Sequence, residues 1–171
     1  LGFAVNVDGT AIAGASLSNN GSVNARAFRW TKSGGIQALG LLPGGSYSDA
    51  RGISADASVV VGYAGDSSGN DRAFRWTGAG GMQNLGVLPG MNRSNGLGVS
   101  HDGSIVVCAS YTDLTIRAFR WTNSGGMTSL GVLPGGDSSG AIAVSGNGSV
   151  IIGSAYSSTA GQTSFRWTSA G

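Results

Sequence analysis

The chain has 171 residues, the length of about one ordinary domain. Only 11% of the residues are charged, the net charge is +2 and 40% are hydrophobic. This balance excludes a disordered chain, in which low hydrophobicity accompanies high net charge. Glycine supplies 32 residues and glutamate none, and the scarcity of helix formers excludes a helical bundle. No apolar run approaches the ~18 residues that a transmembrane helix requires.

A single sequence unit recurs along the whole chain. Its clearest element is Phe-Arg-Trp-Thr, which places Trp30, Trp76, Trp121 and Trp167 at spacings of 46, 45 and 46 residues. Gly-Gly, a short segment ending in Leu-Gly and a Leu-Pro-Gly turn follow the first three tryptophans. A fixed period of this length is typical of a repeat architecture.

Each unit contains four predicted strands separated by turn residues. In the second unit, β-branched and aromatic runs bounded by Gly, Asp, Asn and Pro predict strands over 50–54, 58–64, 72–77 and 82–87. Asp102-Gly103 and Asn147-Gly148 are typical of tight hairpin turns. Four strands in about 46 residues is the size of one propeller blade. We therefore predict an all-β, propeller-like array of about four four-stranded antiparallel blades; a β-solenoid or an open stack of sheets is the alternative.

The whole chain is predicted to be one repeat domain, residues 1–171. Its units span approximately 1–46, 47–92, 93–137 and 138–171. The sequence begins within the first strand of a unit and stops after the third strand of the fourth, so the last blade is predicted to be incomplete. Such an array exposes sheet faces and edges. We expect a fragment of a longer array, or self-association that completes a propeller ring, in preference to a closed monomer.

The repeat resembles the HAF repeat family of bacterial extracellular repeats. The matching pieces are Gly80-Gly81-Met82, Leu85-Gly86, Leu133-Pro134-Gly135-Gly136 and Ser100-His101-Asp102-Gly103. The histidine that precedes Ala-Phe in the family is replaced by Arg26, Arg72, Arg117 and Thr163. The resemblance implies a propeller-like fold and secretion or surface display, and it implies no established activity.

The basic residues are predicted to bind no nucleic acid, although the sequence pI is about 9.0. Seven of the ten recur at fixed places in the repeat, whereas a nucleic-acid interface gathers them on one surface. Cys108 lies in an apolar run and is predicted to be a buried, inert thiol.

No catalytic, cofactor or metal site is predicted. His101, the single histidine, is expected in an exposed turn, and no G-x-S-x-G nucleophile motif follows a strand. One His and one Cys cannot supply a zinc site. Turn capping accounts for Asp8, Asp56, Asp102 and Asn147, with a repeated calcium site as the alternative. A hydrolase would depend on aspartates drawn from Asp49, Asp66, Asp71, Asp113 and Asp137.

The Phe-Arg-Trp element has two interpretations. On a strand, Phe28 and Trp30 share one face and Arg29 lies on the other. The element either packs adjacent sheets together, with the arginine over a neighbouring ring, or lines pockets that bind sugar. The candidate ligand-binding residues are Trp30, Trp76, Trp121, Trp167, Arg29, Arg75, Arg120 and Arg166.

Variable polar loops precede each Phe-Arg-Trp element, at 17–24, 65–71, 111–115 and 156–162. Binding residues often occupy loops on a rigid scaffold, and Tyr47, Arg51, Asn92 and Arg93 are further candidates. We expect a secreted or surface-exposed, non-enzymatic module for adhesion or interaction, with carbohydrate or a surface protein as partner. A structural spacer or self-assembling repeat is the first alternative, and an Asp-dependent hydrolase is the second.

Overall fold

The computed structural model describes residues 1–17 and 25–170, which form strands and turns without a helix. No helix within these ranges is therefore long and apolar enough to cross a membrane. The strands are β1 (Gly2–Val5), β2 (Ala11–Ser16), β3 (Arg26–Thr31), β4 (Gly35–Ala38), β5 (Ser48–Ile53), β6 (Val59–Gly65), β7 (Asp71–Thr77), β8 (Gly81–Asn84), β9 (Arg93–Val99), β10 (Ile105–Tyr111), β11 (Ile116–Thr122), β12 (Gly126–Ser129), β13 (Ser139–Val144), β14 (Val150–Ser157) and β15 (Gly161–Thr168).

These strands form four separate antiparallel sheets, each in chain order. Blades 1 to 3 comprise β1–β4, β5–β8 and β9–β12, and blade 4 is the three-stranded sheet β13–β15. The all-β prediction of antiparallel blades, the last one incomplete, is confirmed. In the second unit, the predicted bounds agree with the observed strands to within three residues.

Each blade packs on the next one along the chain. The first strand of a blade contacts three strands of the preceding blade, as β9 does with β5, β6 and β7. The buried clusters consequently combine residues of two blades. In the first cluster, Leu39 and Leu42 of blade 1 meet Val60, Phe74 and Trp76 of blade 2.

The up-and-down order of the strands gives the array two distinct ends. We call the loop face the end that carries the blade connections (39–47, 85–92 and 130–138) and the hairpins at 66–70, 112–115 and 158–160. The turn face is the opposite end, with the first hairpin of each blade (6–10, 54–58, 100–104 and 145–149) and the hairpins at 32–34, 78–80 and 123–125. Loops that are far apart in sequence therefore meet on one face.

A repeated hydrogen-bonded turn shapes the turn face. The Ser100 hydroxyl donates to Asp102 at 2.6 Å and accepts the backbone N–H of Ile105 at 3.0 Å. Gly103 completes the turn at a φ of 70°, a conformation that glycine adopts without steric cost. The turn-capping interpretation of the aspartates agrees with this geometry.

Neighbouring turns are also joined through their backbones. The N–H of Ala55 donates to the carbonyl of His101 and the N–H of His101 to that of Gly146, each at 2.9 Å. His101 is exposed, as predicted for a turn residue.

The interface between blades 3 and 4 contains a cavity. A cavity of about 100 Å³ lies between Leu130, Leu133, Phe165 and Trp167. In the two preceding interfaces, the corresponding space receives the fourth-strand residues Met82 and Met127.

Candidate functional site

The repeated arginines and tryptophans meet between blades. The guanidinium of Arg29 lies 5.2 Å from the ring centre of Trp76, and that of Arg120 lies 5.1 Å from the ring centre of Trp167. Arg75 is 6.0 Å from the ring centre of Trp121. Each arginine therefore stacks on the tryptophan of the following blade.

Hydrogen bonds fix two of these arginines, Arg29 and Arg75, to the next turn. Arg29 donates to the carbonyl of Ala57 at 2.8 Å, and Arg75 to that of Gly103 at 3.3 Å. Trp76 and Trp121 are only 4% and 6% exposed, so little of either ring can meet a ligand. This geometry supports the packing interpretation at the internal interfaces. Ligand binding by these residues stays a prediction.

The two ends of the array differ from its interior. Trp30 of blade 1 is half-buried and Arg166 of blade 4 is exposed. Within residues 1–17 and 25–170, no arginine lies over Trp30 and no tryptophan lies under Arg166. The eight predicted residues thus form three Arg–Trp pairs and leave one residue of each type at opposite ends.

A second group of predicted residues converges on the loop face. Tyr47 precedes β5, Asp71 begins β7 in the same blade and Tyr111 ends β10 in blade 3. The two phenol hydroxyls donate to the two carboxylate oxygens of Asp71, from Tyr47 at 2.5 Å and from Tyr111 at 2.6 Å. One carboxylate therefore links two blades and holds both rings in place.

Both phenols remain protonated at physiological pH. Burial raises the pKa of Tyr47 and of Tyr111, and the hydrogen bond to the negatively charged Asp71 raises it further. The two hydroxyls act as donors, and Asp71 as the acceptor of both.

Charged and amide groups extend this cluster outward. Arg93 lies 5.1 Å from the ring centre of Tyr111 and forms an ion pair with Asp113. The side chain of Asp113 is 85% exposed, and the side-chain oxygen of Asn95 is 3.2 Å from the Tyr111 hydroxyl. We call Tyr47, Asp71, Arg93, Tyr111 and Asp113 the loop-face cluster.

An ion pair next to the loop-face cluster lies on β5, the first strand of blade 2. The Nε of Arg51 is 2.9 Å from Asp49, and its Nη2 is 3.2 Å from the Tyr63 hydroxyl. Burial raises the pKa of Asp49, although Arg51 opposes the shift. Arg51 occupies a β-bulge, a feature that re-aims side chains, and its guanidinium lies 4.2 Å from the ring centre of Phe3 in blade 1.

Two further aspartates were considered for hydrolysis, and they lie outside the loop-face cluster. Asp66 forms an ion pair with Arg72 at 2.7 Å and accepts backbone N–H groups in its own turn. Asp137 is exposed, and its backbone carbonyl accepts the Thr115 hydroxyl. His101 lies on the turn face, away from all of them. In the described residues, no three His, Cys or Asp side chains are arranged to hold a metal ion.

The loop candidates named from the sequence do not all come together. Tyr47, Arg93 and Asp71 come together, whereas Arg51 forms the neighbouring ion pair. Asn92 contributes its carbonyl to Arg72. Most of the predicted loop at 17–24 lies outside the described residues.

Tyr63 and Asn95 were not singled out by the sequence analysis. The sequence signal that could have identified them is that each differs from the residues at the same position of other units. Asn95 occupies the position of Asp49 and Gly140, and Tyr63 that of Ala109. Tyr63 and Asn95 thus differ between units, whereas the recurring Phe-Arg-Trp residues pack between blades.

The sequence matches no family model and no curated protein. Solved structures do match. A TolB from Acinetobacter baumannii is 13% identical with a TM-score of 0.68, over 98% of this chain and 40% of that one. A chain from a study of two prolyl endopeptidases is 15% identical with a TM-score of 0.66, over 97% of this chain and 26% of that one.

The β-propeller domain of the Trilobed protease from Pyrococcus furiosus, which has an open velcro topology, is 8% identical with a TM-score of 0.59. The match covers 92% of this chain and 48% of that one. The chain therefore spans between about a quarter and a half of these structures. The likeness confirms the propeller-like arrangement of the blades in preference to a solenoid.

Proposed function

We propose that the chain is a non-enzymatic interaction module of a secreted or surface-exposed protein, and that it binds carbohydrate at the loop-face cluster. The observation that carries the proposal is the convergence of Tyr47, Asp71 and Tyr111 from two blades on one face. Groups held at fixed positions bind a ligand with little loss of conformational entropy.

The chemistry of the cluster suits a neutral polar ligand. The half-buried ring of Tyr47 can offer an apolar face to the C–H groups of a sugar, while Arg93 and Asp113 can form hydrogen bonds with hydroxyl groups. Only 11% of the residues are charged, which gives little basis for electrostatic capture of a highly charged polymer. Nucleic acid is therefore not the proposed partner.

The non-enzymatic part rests on how the carboxylates are used. Asp49, Asp66, Asp71 and Asp113 each accept hydrogen bonds from arginine, tyrosine or backbone groups within their own turn or blade interface. The single histidine is on the opposite face. Their contacts hold turns and blades together, which supports a structural use of these carboxylates in preference to the acid and base pair of glycoside hydrolysis.

Binding of the soluble chain to a broad glycan array tests the proposal. Asp113→Ala alters an exposed part of the cluster and Arg93→Ala alters its half-buried ion-pair partner. We expect either change to weaken binding about tenfold, the effect of losing one charge-assisted hydrogen bond. His101→Ala, on the turn face, is the matched control and should bind normally.

Retained binding in both cluster variants would move the site elsewhere. A folded chain that binds no glycan would overturn the carbohydrate assignment and favour the spacer function.

A further inference from the structure

A second cavity opens on the loop face directly beside the loop-face cluster. Its volume is about 370 Å³, within the range of about 300–1,000 Å³ that is typical of small-molecule sites. Two residues of the cluster, Tyr111 and Asp113, line it. The other lining residues belong to the hairpin at 112–115, to the first residue of β11 and to the connection into blade 4: Thr112, Leu114, Thr115, Ile116, Asp137 and Ser138. We call this space the hairpin cavity.

Hydrogen bonds hold the two walls of the hairpin cavity together. One wall is the hairpin between β10 and β11 of blade 3, and the other is the connection that leads into blade 4. The Thr115 hydroxyl donates to the backbone carbonyl of Asp137 at 3.2 Å, and Arg117 donates to the same hydroxyl at 2.6 Å. Walls that are fixed before binding lose little conformational entropy when a ligand enters.

The apolar side of the hairpin cavity departs from the repeat. Leu114 is 97% exposed, whereas the corresponding hairpins at 66–70 and 158–160 contain no large apolar residue. Ile116 occupies the repeat position of Asp71, the carboxylate that accepts both phenols of the cluster. In this unit, therefore, an apolar side chain stands where the preceding unit has an acceptor. Apolar surface beside hydroxyl groups is the mixture that suits a sugar ring.

The polar side of the hairpin cavity is acidic. Asp113 and Asp137 are both exposed, and none of the lining residues is basic. The remaining polar groups are the hydroxyls of Thr112, Thr115 and Ser138. Carboxylates accept hydrogen bonds from the hydroxyl groups of a sugar, whereas they repel a ligand that carries carboxylate or sulfate groups. The cavity therefore favours an uncharged sugar unit.

We propose that the hairpin cavity is a second sugar subsite, and that the glycan bound at the loop-face cluster is a neutral oligosaccharide of more than one unit. This second subsite presupposes the carbohydrate binding proposed for the cluster. The hydrogen bond from Tyr111 to Asp71 places the cluster across blades 2 and 3, and the cavity lies between blade 3 and the connection into blade 4. A ligand that occupies both therefore extends across two successive interfaces. Tyr111 and Asp113 line both sites and mark the boundary between the two sugar units.

Titration calorimetry with neutral hexose oligosaccharides of one to four units, in the series that the chain binds on the glycan array, tests the second subsite. We expect the wild-type affinity to rise at least about tenfold from the monosaccharide to the tetrasaccharide, because the added units contact the cavity. Leu114→Ala and Asp137→Ala shorten exposed side chains of its walls, and each should reduce this ratio of affinities about fivefold. Val7→Ala, at a site that is 67% exposed on the turn face, is the matched control and should keep the wild-type ratio.

The same oligosaccharides oxidised to uronic acids test the preference for uncharged sugars. The wild-type chain should bind the acidic tetrasaccharide about tenfold more weakly than the neutral one, because like charges meet in the cavity. Asp137→Asn should narrow this difference. Equal affinity for the two forms, or an equal difference in wild type and variant, would overturn the acidic wall as a determinant of specificity.

Dependence on glycan length separates the second subsite from the carbohydrate binding on which it rests. Wild-type affinity that is the same for one unit and for four would overturn the second subsite and leave binding at the loop-face cluster intact. A rise with length that both Leu114→Ala and Asp137→Ala retain would place the added units outside the hairpin cavity and would also overturn it. A folded chain that binds no glycan of any length would instead overturn the proposed function.

Discussion

The hydroxyl of Ser94 in blade 3 accepts the backbone N–H of Ala73 in blade 2 at 2.9 Å, and it donates to the carbonyl of Gly86 at 2.6 Å. Ser94 is completely buried. Ser48 and Ser139 form the same pair of bonds at the other two interfaces. One hydroxyl therefore satisfies a buried backbone N–H and a partly buried carbonyl where consecutive blades meet.

Ser94→Ala should lower the free energy of unfolding by about 1–3 kcal/mol, because it leaves the buried N–H of Ala73 without a partner. Urea unfolding followed by tryptophan fluorescence measures the change. Ser33→Ala, at an exposed site, is the control and should alter stability by less than about 0.5 kcal/mol. Equal effects of the two substitutions would contradict the role assigned to Ser94.

Arg75→Ala should destabilise the chain by about 1–2 kcal/mol, since it removes both the stacking on Trp121 and the hydrogen bond to Gly103. Arg166→Ala changes the equivalent residue of blade 4, which lies over no tryptophan within the described residues. Thermal unfolding should show a smaller loss for Arg166→Ala. If both variants lose the same stability, the stacking contributes nothing measurable.

Acid should weaken the turns that contain an aspartate. Hydrogen bonds from the Ser100 hydroxyl and from Ser104 lower the pKa of Asp102 to about 2 from its ordinary 3.8. Because the folded-state pKa is the lower one, the charged turn stabilises the fold above about pH 4, and this stabilisation is lost as the pH falls towards 2. Similar bonds lower the pKa of Asp56 and of Asp8.

Blade 4 provides a natural comparison for this effect. Asn147 receives the corresponding bonds from Ser145 and Ser149 without a charge. Asp102→Asn should therefore keep the turn while reducing the loss of stability between pH 4 and pH 2, and Asn147→Asp should increase that loss. Unfolding free energies measured across this pH range would refute the linkage if the two variants had the same slope.

Cys108 should react with a maleimide only after the fold opens. The thiol is fully buried, and burial raises its pKa, so the reactive thiolate is both rare and inaccessible. Labelling followed by mass spectrometry across a urea series should track the unfolding transition. Leu114→Cys adds an exposed thiol that should react at once, and rapid labelling of Cys108 in the native chain would show that blade 3 opens locally.

The sequence predicted the part of the fold that repeats, because residues that recur at the same position of every unit make the same packing contacts in successive blades. The Phe-Arg-Trp element and the turn at Asp102-Gly103 occupy fixed positions of the repeat unit. The last unit stops after its third strand, which predicted the three-stranded blade 4. Strand ends were less accurate: β8 ends at Asn84, because a turn at Gly86, with a φ of 81°, begins sooner than the apolar pattern indicates.

The site was only partly predictable, because it depends on contacts between units. Tyr47 and Asp71 were each named, but 24 positions separate them, and Tyr111 is a further 40 positions from Asp71. No local pattern encodes such a meeting. The buried serines were missed for a different reason: serine is abundant, and only their constant position after Leu-Pro-Gly distinguishes Ser48, Ser94 and Ser139 from the others.

The serine bridges also bear on how the chain folds during synthesis. In each case, the serine lies 21 residues after the alanine that it binds, and it belongs to the next blade. Since folding during translation proceeds from the N-terminus, a nascent blade keeps unsatisfied backbone groups until the beginning of its successor leaves the ribosome. Pauses in elongation would therefore matter most just before Ser48, Ser94 and Ser139 leave the ribosome, when a nearly complete sheet still lacks the residue that secures it.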